Sequence, residues 1–206
     1  MADTVYREEP QSGITFGPFD SSYYYDIEKS KDIKLSRSTT LKSVECVAIR
    51  ENKLLFIEAK KTAPKDLSAQ NAKDRLSEMI KPGKREDYDK LMRSLSITPA
   101  YIADVCEKFL MSLCLVMSIA EGRISSKDML PPMMEAIRDP SIIPVFVLVI
   151  TRSKKDWACN VQDAFNMALR KFERTNRAKV QVLTAEQAKN KGLVSEYVPM
   201  MLDSLT

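Results

Sequence analysis

Three residues of one short segment have side chains that could hold a metal ion and a phosphate together: Glu45, Glu58 and Lys60. Carboxylate oxygens are ligands that Mg²⁺ and Mn²⁺ take readily. A bound metal ion polarises a phosphoryl oxygen and lowers the pKa of a water, and a nearby ammonium group stabilises the negative charge that develops. These residue types therefore suit the metal-assisted hydrolysis of a phosphodiester.

The three residues lie in the segment 43–61, which has the pattern of a β-hairpin. Two apolar, β-branched runs flank the polar pair Glu51-Asn52, and asparagine is common in tight turns. A two-residue turn at this place puts Glu45 directly opposite Glu58. Because side chains alternate between the faces of a strand, Glu45, Glu58 and Lys60 are predicted to share one face.

Two facing carboxylates repel each other, because directly opposed residues have Cβ atoms only about 4.5–5.5 Å apart. A divalent cation between Glu45 and Glu58 would offset that repulsion. Lys60, about 6.6 Å further along the strand, could reach a metal-bound water or a phosphate oxygen. A register shifted by one residue would instead put the two carboxylates on opposite faces and remove the site.

The same residues also have an interpretation without chemistry. Strand ends commonly emerge into water, so Glu45, Glu58, Lys60 and Lys61 could form a solvated rim of exposed ion pairs. Such pairs contribute little to stability, and an interaction protein could carry them with no catalytic role.

Further charged residues follow the motif and recur on a later helix. Lys61 and Lys65 could contact backbone phosphates of a nucleic acid, and a solvated helix face is the alternative. Asp104 and Lys108 have the i,i+4 spacing that is typical of a surface ion pair, and a role beside the site is the alternative.

Glu45, the twelve residues after it and Glu58-Ala59-Lys60 resemble the PD-(D/E)xK nuclease superfamily, which has the restriction-endonuclease-like fold. In that family an acid at the start of one strand and a (D/E)xK tripeptide on the next build the metal site. The resemblance implies that Glu45 and Glu58 bind Mg²⁺ or Mn²⁺, with the backbone carbonyl of Ala59 as a third ligand. It implies that Lys60 positions or activates the attacking water. Glu28 is the candidate for the further carboxylate that the family's N-terminal helix often supplies.

The elements around the hairpin predict an α/β fold. Strands separated by helices imply crossover connections, so we expect a mixed, restriction-endonuclease-like sheet with a central β-hairpin, flanked by helices. Apolar spacing predicts helices over 66–81, 85–95, Thr98–Gly122, Pro131–Ile137 and 156–173. Continuous apolar runs predict buried strands over 143–151 and Val180–Leu183, and Thr184 and Gln187 have capping-box spacing before a last short helix.

Residues 1–22 contain two prolines and two glycines and are predicted to be a flexible N-terminal arm with at most one short edge strand. Tyr23–Tyr25 favour either a strand or the start of a short helix, and the pattern leaves both open. Residues 23–206 are predicted to form a single α/β domain, with 82–98 as a candidate insertion.

Composition limits the chemistry that the chain can perform. The 206 residues are 44% hydrophobic and 29% charged, which is typical of one globular domain. The absence of histidine excludes Ser-His-Asp and Cys-His catalysis and imidazole zinc sites, whereas a magnesium site needs no histidine. A net charge of +4 is compatible with a polyanionic partner and is weak support for one.

Compartment and partners follow from a few further patterns. The four cysteines show no CxxC spacing, the N-terminus lacks the pattern of a signal peptide, and the apolar runs are too short to span a bilayer. We expect a cytoplasmic protein with no membrane partner, and a homodimer is left open. The leading hypothesis is a Mg²⁺- or Mn²⁺-dependent nuclease acting on DNA or RNA. The alternative is the same fold serving, without catalysis, as a nucleic-acid- or protein-binding module.

Overall fold

The computed structural model describes residues 3–31, 42–61, 97–152 and 155–198. Lys65, the predicted helices over 66–81 and 85–95 and nearly all of the candidate insertion lie outside these ranges. The elements in chain order are β1 (Thr4–Glu9), β2 (Ile14–Asp20), a 3₁₀ turn (Ser21–Tyr23), β3 (Tyr24–Tyr25), β4 (Cys46–Arg50), β5 (Lys53–Lys60), α1 (Ile97–Ala120), α2 (Pro131–Ile137), β6 (Ile143–Ile150), α3 (Lys155–Asn176), β7 (Lys179–Thr184), α4 (Ala185–Asn190) and β8 (Val194–Tyr197).

Five strands form one mixed sheet in the order β3-β4-β5-β6-β7. The β4–β5 hairpin is antiparallel, whereas β5, β6 and β7 run parallel to one another. Parallel neighbours need crossover connections, and α1 and α2 lie in the connection from β5 to β6 while α3 lies in that from β6 to β7. The predicted mixed α/β sheet, with the hairpin inside it, is confirmed.

The hairpin turn fixes the register of the two strands that carry the motif. Glu51 and Asn52 have φ angles of 50° and 58°, the left-handed values that a tight two-residue hairpin turn requires at both positions. Arg50 therefore pairs with Lys53, and the same register continues to Cys46. The predicted turn and its register are confirmed over this length.

The register breaks at Glu45, one residue beyond. The backbone N–H of Glu45 donates to the carbonyl of Ile57 at 3.0 Å, although Ile57 already pairs with Cys46. Two residues opposite one are a β-bulge. Val44 and Val47 pack on one side of the sheet and Cys46 on the other, so the alternation of faces is interrupted here. The prediction that Glu45 is directly opposite Glu58 is wrong, because the bulge inserts an extra residue between them and the turn.

Residues near the N-terminus form more structure than the sequence pattern indicated. β1 and β2 pair with β8 in a second, antiparallel sheet of order β1-β2-β8, so the expectation of at most one short edge strand is wrong. Gly13 (φ 67°) lies in the turn that joins β1 and β2, where its freedom to adopt a positive φ is used. The Tyr23–Tyr25 ambiguity resolves into both alternatives, since Tyr23 ends a 3₁₀ turn and Tyr24 begins a strand.

Both faces of the five-stranded sheet are covered, which accounts for the apolar residues on both faces of β5 and β6. One face packs Phe56 and Phe146 against Phe109 of α1 and Phe165 of α3. The other face packs against β2, α4 and β8, with Phe16 fully buried there. Each aromatic side chain so buried stabilises the fold by about 1.5–3 kcal/mol. No helix in the described ranges combines the length and apolar character that crossing a bilayer requires.

Candidate metal centre

Arg7 of β1 gathers four carboxylates next to the bulge; we call Glu9, Asp26, Glu28 and Glu45 the acidic cluster. The side chain of Arg7 is 2% exposed. Its Nη1 donates to Asp26 and, at 2.6 Å, to the backbone carbonyl of Glu45. Its Nη2 donates to Glu28, to Glu45 Oε2 at 2.7 Å and to Glu9 Oε2 at 3.4 Å. One guanidinium therefore serves four carboxylates.

Three of these carboxylates converge on a single point. One oxygen each of Glu9, Glu28 and Glu45 lies within 4.8 Å of the other two, and Nη2 of Arg7 contacts all three residues. Oxygen ligands of one divalent cation lie at most about 4–5 Å apart, which is twice the metal–oxygen distance. The spacing of this triad therefore fits one cation.

The acidic cluster holds more negative charge than Arg7 can balance. Burial, the charge of Glu58 and the hydrogen bond to Glu28 together raise the pKa of Glu45 to about 9. Burial also acts to raise the pKa of Glu28, but the hydrogen bonds with Glu45 and Arg7 outweigh it, so that pKa is lowered. The carboxyl group of Glu45 thus retains a proton at neutral pH when no other cation is bound.

Glu58, at the end of β5, lies in the opposite kind of environment. Its carboxylate is fully buried, and Oε1 accepts hydrogen bonds from Lys108 of α1 at 2.6 Å and makes an ion pair with Lys60 at 3.0 Å. Oε2 has no hydrogen-bond partner among the described residues. Burial raises the pKa of Glu58 although the two lysines oppose it. We call Lys60 and Lys108 the lysine pair.

A cavity of about 660 Å³ connects the acidic cluster with the lysine pair. Its wall includes the acids Glu9, Glu28 and Glu45 and the lysines Lys29, Lys60, Lys61 and Lys108. Ala59 also lines it, whereas the fully buried Glu58 does not. A small anion bound to a cation would find charges of both signs in this one space.

The structure brings together most of the residues that the sequence singled out. Glu28 lies beside Glu45, and Lys60 and Ala59 lie at the same cavity. Glu45 and Glu58 interact electrostatically but belong to different groups of contacts, because Glu45 binds Arg7 and Glu58 binds the lysine pair.

Two participants, Arg7 and Glu9, were missed by the sequence reasoning because the arm was expected to be loose. The signal that could have found them is the alternation in β1, where Arg7 and Glu9 are buried whereas Tyr6 and Glu8, which precede them, are not. The interpretation of Asp104 and Lys108 as a surface pair also needs revision. Lys108 binds Glu58, and Asp104 accepts a hydrogen bond from Lys42 at 2.8 Å.

Comparisons with protein-family models, with curated proteins and with solved structures found no match to this chain. The geometry of the acidic cluster, the lysine pair and their shared cavity therefore carries any statement of function.

Proposed function

We propose that the protein is a metal-dependent phosphodiester hydrolase, a nuclease that acts on DNA or RNA and has the restriction-endonuclease-like fold. The observation that carries the proposal is a group of three carboxylates, with oxygens within 4.8 Å of one another, that lines the same cavity as Lys60 and Lys108. Clustered carboxylates suit a divalent cation, and lysines suit a phosphate.

The order of the elements supports the fold part of the proposal. In the described ranges, the hairpin precedes the long helix α1, the short helix α2, the buried parallel strand β6, the helix α3 and the parallel strand β7. Glu45 lies immediately before β4, and Glu58-Ala59-Lys60 forms the end of β5. An acid at the start of one strand and an ExK tripeptide on the next is the arrangement that the PD-(D/E)xK resemblance implies.

The residues present fit Mg²⁺ or Mn²⁺. The donors are carboxylate oxygens, four carboxylates share the one guanidinium of Arg7, and the buried Oε2 of Glu58 has no hydrogen-bond partner among the described residues. Glu28 and Glu45 would hold the ion, with Glu9 beside them. The resemblance implies Glu58 and the Ala59 carbonyl as further ligands, and of these two residues Ala59 lines the cavity whereas Glu58 does not. When bound, the ion would polarise the phosphoryl oxygen and lower the pKa of a water.

The chain's own groups would position the substrate around that ion. Lys60 holds an ammonium group at the cavity wall, where it can donate to a phosphate oxygen or to the attacking water. Arg7 keeps Glu45 in place through its backbone carbonyl as well as its carboxylate. Because Nη2 lies where the three carboxylates meet, Arg7 must give up some of those contacts for the ion to bind.

Cleavage assays test this proposal directly. Single- and double-stranded DNA and RNA are incubated with Mn²⁺, with Mg²⁺ or with EDTA, and the products are separated on denaturing gels. We expect cleavage only with metal, and a loss of about 100-fold or more in Glu45→Gln, Glu58→Gln and Lys60→Met. Lys42→Met removes one lysine that is not part of the cavity wall and should keep full activity. Failure to cut any of these substrates with Mn²⁺ present would contradict the proposal.

The second candidate is a catalytically inactive domain of the same fold that binds nucleic acid or protein. Arg7 favours it, because its guanidinium already offsets part of the carboxylate repulsion for which a metal ion was invoked. A binding module should retain its affinity for nucleic acid in EDTA and in Glu58→Gln, and should cut none of the substrates.

A further inference from the structure

We propose that Lys60 and Lys108 together form a binding site for one phosphate group of a nucleic-acid strand, which we call the seat. The choice of a nucleic acid rests on the proposed function, whereas the seat itself requires no metal ion. Both ammonium groups bind the same atom, Glu58 Oε1, at 3.0 and 2.6 Å. They come from different elements, β5 and α1, and converge at one place in the cavity wall.

The lysine pair has unused hydrogen-bonding capacity. Each ammonium group carries three N–H donors and no acceptor, and a single carboxylate oxygen receives one donor from each. Two ammonium groups therefore share one buried carboxylate. Asp104 lies 3.9 Å from Lys60 and accepts a shorter hydrogen bond from Lys42, at 2.8 Å, so Glu58 is the nearer acceptor for Lys60.

The pair is also accessible. The side chains of Lys60 and Lys108 are 27% and 19% exposed, enough for a ligand in the cavity to reach their ends. Both lysines line the cavity. The lysine pair suits the several oxygen atoms of a phosphate, because each ammonium group can donate to a different oxygen.

Binding without metal tests the seat apart from hydrolysis. A fluorescein-labelled single-stranded DNA is titrated with the full chain in EDTA at several salt concentrations, and fluorescence anisotropy gives the Kd. We expect Lys108→Met to weaken binding about 5- to 10-fold at low salt and to reduce the slope of log K against log salt by about one. Lys108→Arg keeps the charge and should restore most of the affinity.

The control is Lys42→Met, which makes the same change in charge at a lysine bound to Asp104 and Glu107 of the same helix. Lys42 is not part of the cavity wall, so its Kd should stay within about twofold of the wild type and its salt slope unchanged. Equal effects of Lys108→Met and Lys42→Met would overturn the proposal, because the loss would then be a matter of overall charge.

Lys108→Met leaves the buried carboxylate of Glu58 with fewer partners and could therefore impair folding. A second comparison avoids this difficulty by removing the charge of Glu58 as well. Glu58→Gln releases both lysines and should bind the DNA more tightly than the wild type. Adding Lys108→Met to Glu58→Gln should then remove that gain, and equal affinity of the single and double variants would overturn the seat. If no substrate is cut with Mn²⁺ but binding depends on Lys108, the hydrolase proposal fails and the seat stands. If DNA is cut but Lys108→Met binds DNA normally in EDTA, the proposal of the phosphate seat fails and the hydrolase proposal stands.

Discussion

The acidic cluster and the lysine pair lie at the same end of the same hairpin, yet they carry opposite excesses of charge. In the first, one guanidinium faces four carboxylates, and in the second, two ammonium groups face one carboxylate. The bulge at Glu45 separates them, because it turns one acid of the motif toward β1 while Glu58 faces α1. A pair of glutamates that looks equivalent in sequence thus becomes two sites with different chemistry.

The largest loss of stability is expected from a substitution in the acidic cluster, where the excess of one charge over the other is greatest. Arg7→Met removes the cation that contacts all four carboxylates of the acidic cluster, and should lower the free energy of unfolding by about 3–5 kcal/mol. Urea denaturation measures it, and Arg123→Gln, at an exposed arginine, serves as the control. Added Mn²⁺ should stabilise Arg7→Met more than the wild type. An equal response of the two would show that the carboxylates do not form a cation site.

A substitution at the contacts of the lysine pair should lower the free energy of unfolding less, because two ammonium groups share one carboxylate there. Glu58→Gln takes away the charged acceptor of two lysines and should cost about 1.5–3 kcal/mol. Combining it with Lys108→Met removes an ammonium group that has lost its partner, so the double variant should be more stable than the sum of the two single changes. Urea denaturation of all four proteins measures the coupling, and strict additivity would mean that the contact seen at 2.6 Å contributes nothing.

A smaller effect concerns the pH dependence of stability, to which Glu45 of the acidic cluster contributes. The pKa of Glu45 is raised to about 9 in the folded chain, so between about pH 4.5 and 9 the folded state holds a proton that the unfolded chain releases. The free energy of unfolding should therefore fall as pH rises through this window, with a contribution of at most about 1.4 kcal/mol per pH unit. Glu45→Gln should flatten this slope in chemical denaturation at several pH values. A slope unchanged by the substitution would assign the dependence to other groups.

Local sequence patterns were sufficient to predict the hairpin, its turn and the alternation of strands and helices. Glu51-Asn52 adopts the positive φ angles that the turn requires, and the apolar run after α2 is the buried strand β6. The bulge escaped prediction because nothing in the residues before Cys46 encodes an extra residue; the packing of Val44 beside Val47 reveals it. Backbone alternation can be derived from a sequence, but its interruption depends on tertiary contacts.

The partners of the site residues were harder to predict than the residues themselves. Arg7 and Glu9 lie in a strand that reads as polar, and only its pairing with β2 turns them inward. Lys108 could be placed on a helix, but its distance from Glu58 depends on how α1 crosses the sheet. Contacts between segments far apart in sequence are set by packing, which a pattern of residue types in one segment does not contain.

The separation of Arg7 from Glu45 by 38 positions has a consequence for the order in which the chain acquires its structure. The β4–β5 hairpin closes through a two-residue turn and can form early, whereas β1 docks through long-range contacts that form slowly. Until β1 docks, Glu28 and Glu45 do not contact Arg7 and are exposed to solvent. Protons or metal ions from solution are then the counter-ions available to their carboxylates. The rate of refolding measured by stopped-flow fluorescence should therefore differ between Mn²⁺ and EDTA, because the ion would occupy the carboxylates before β1 docks.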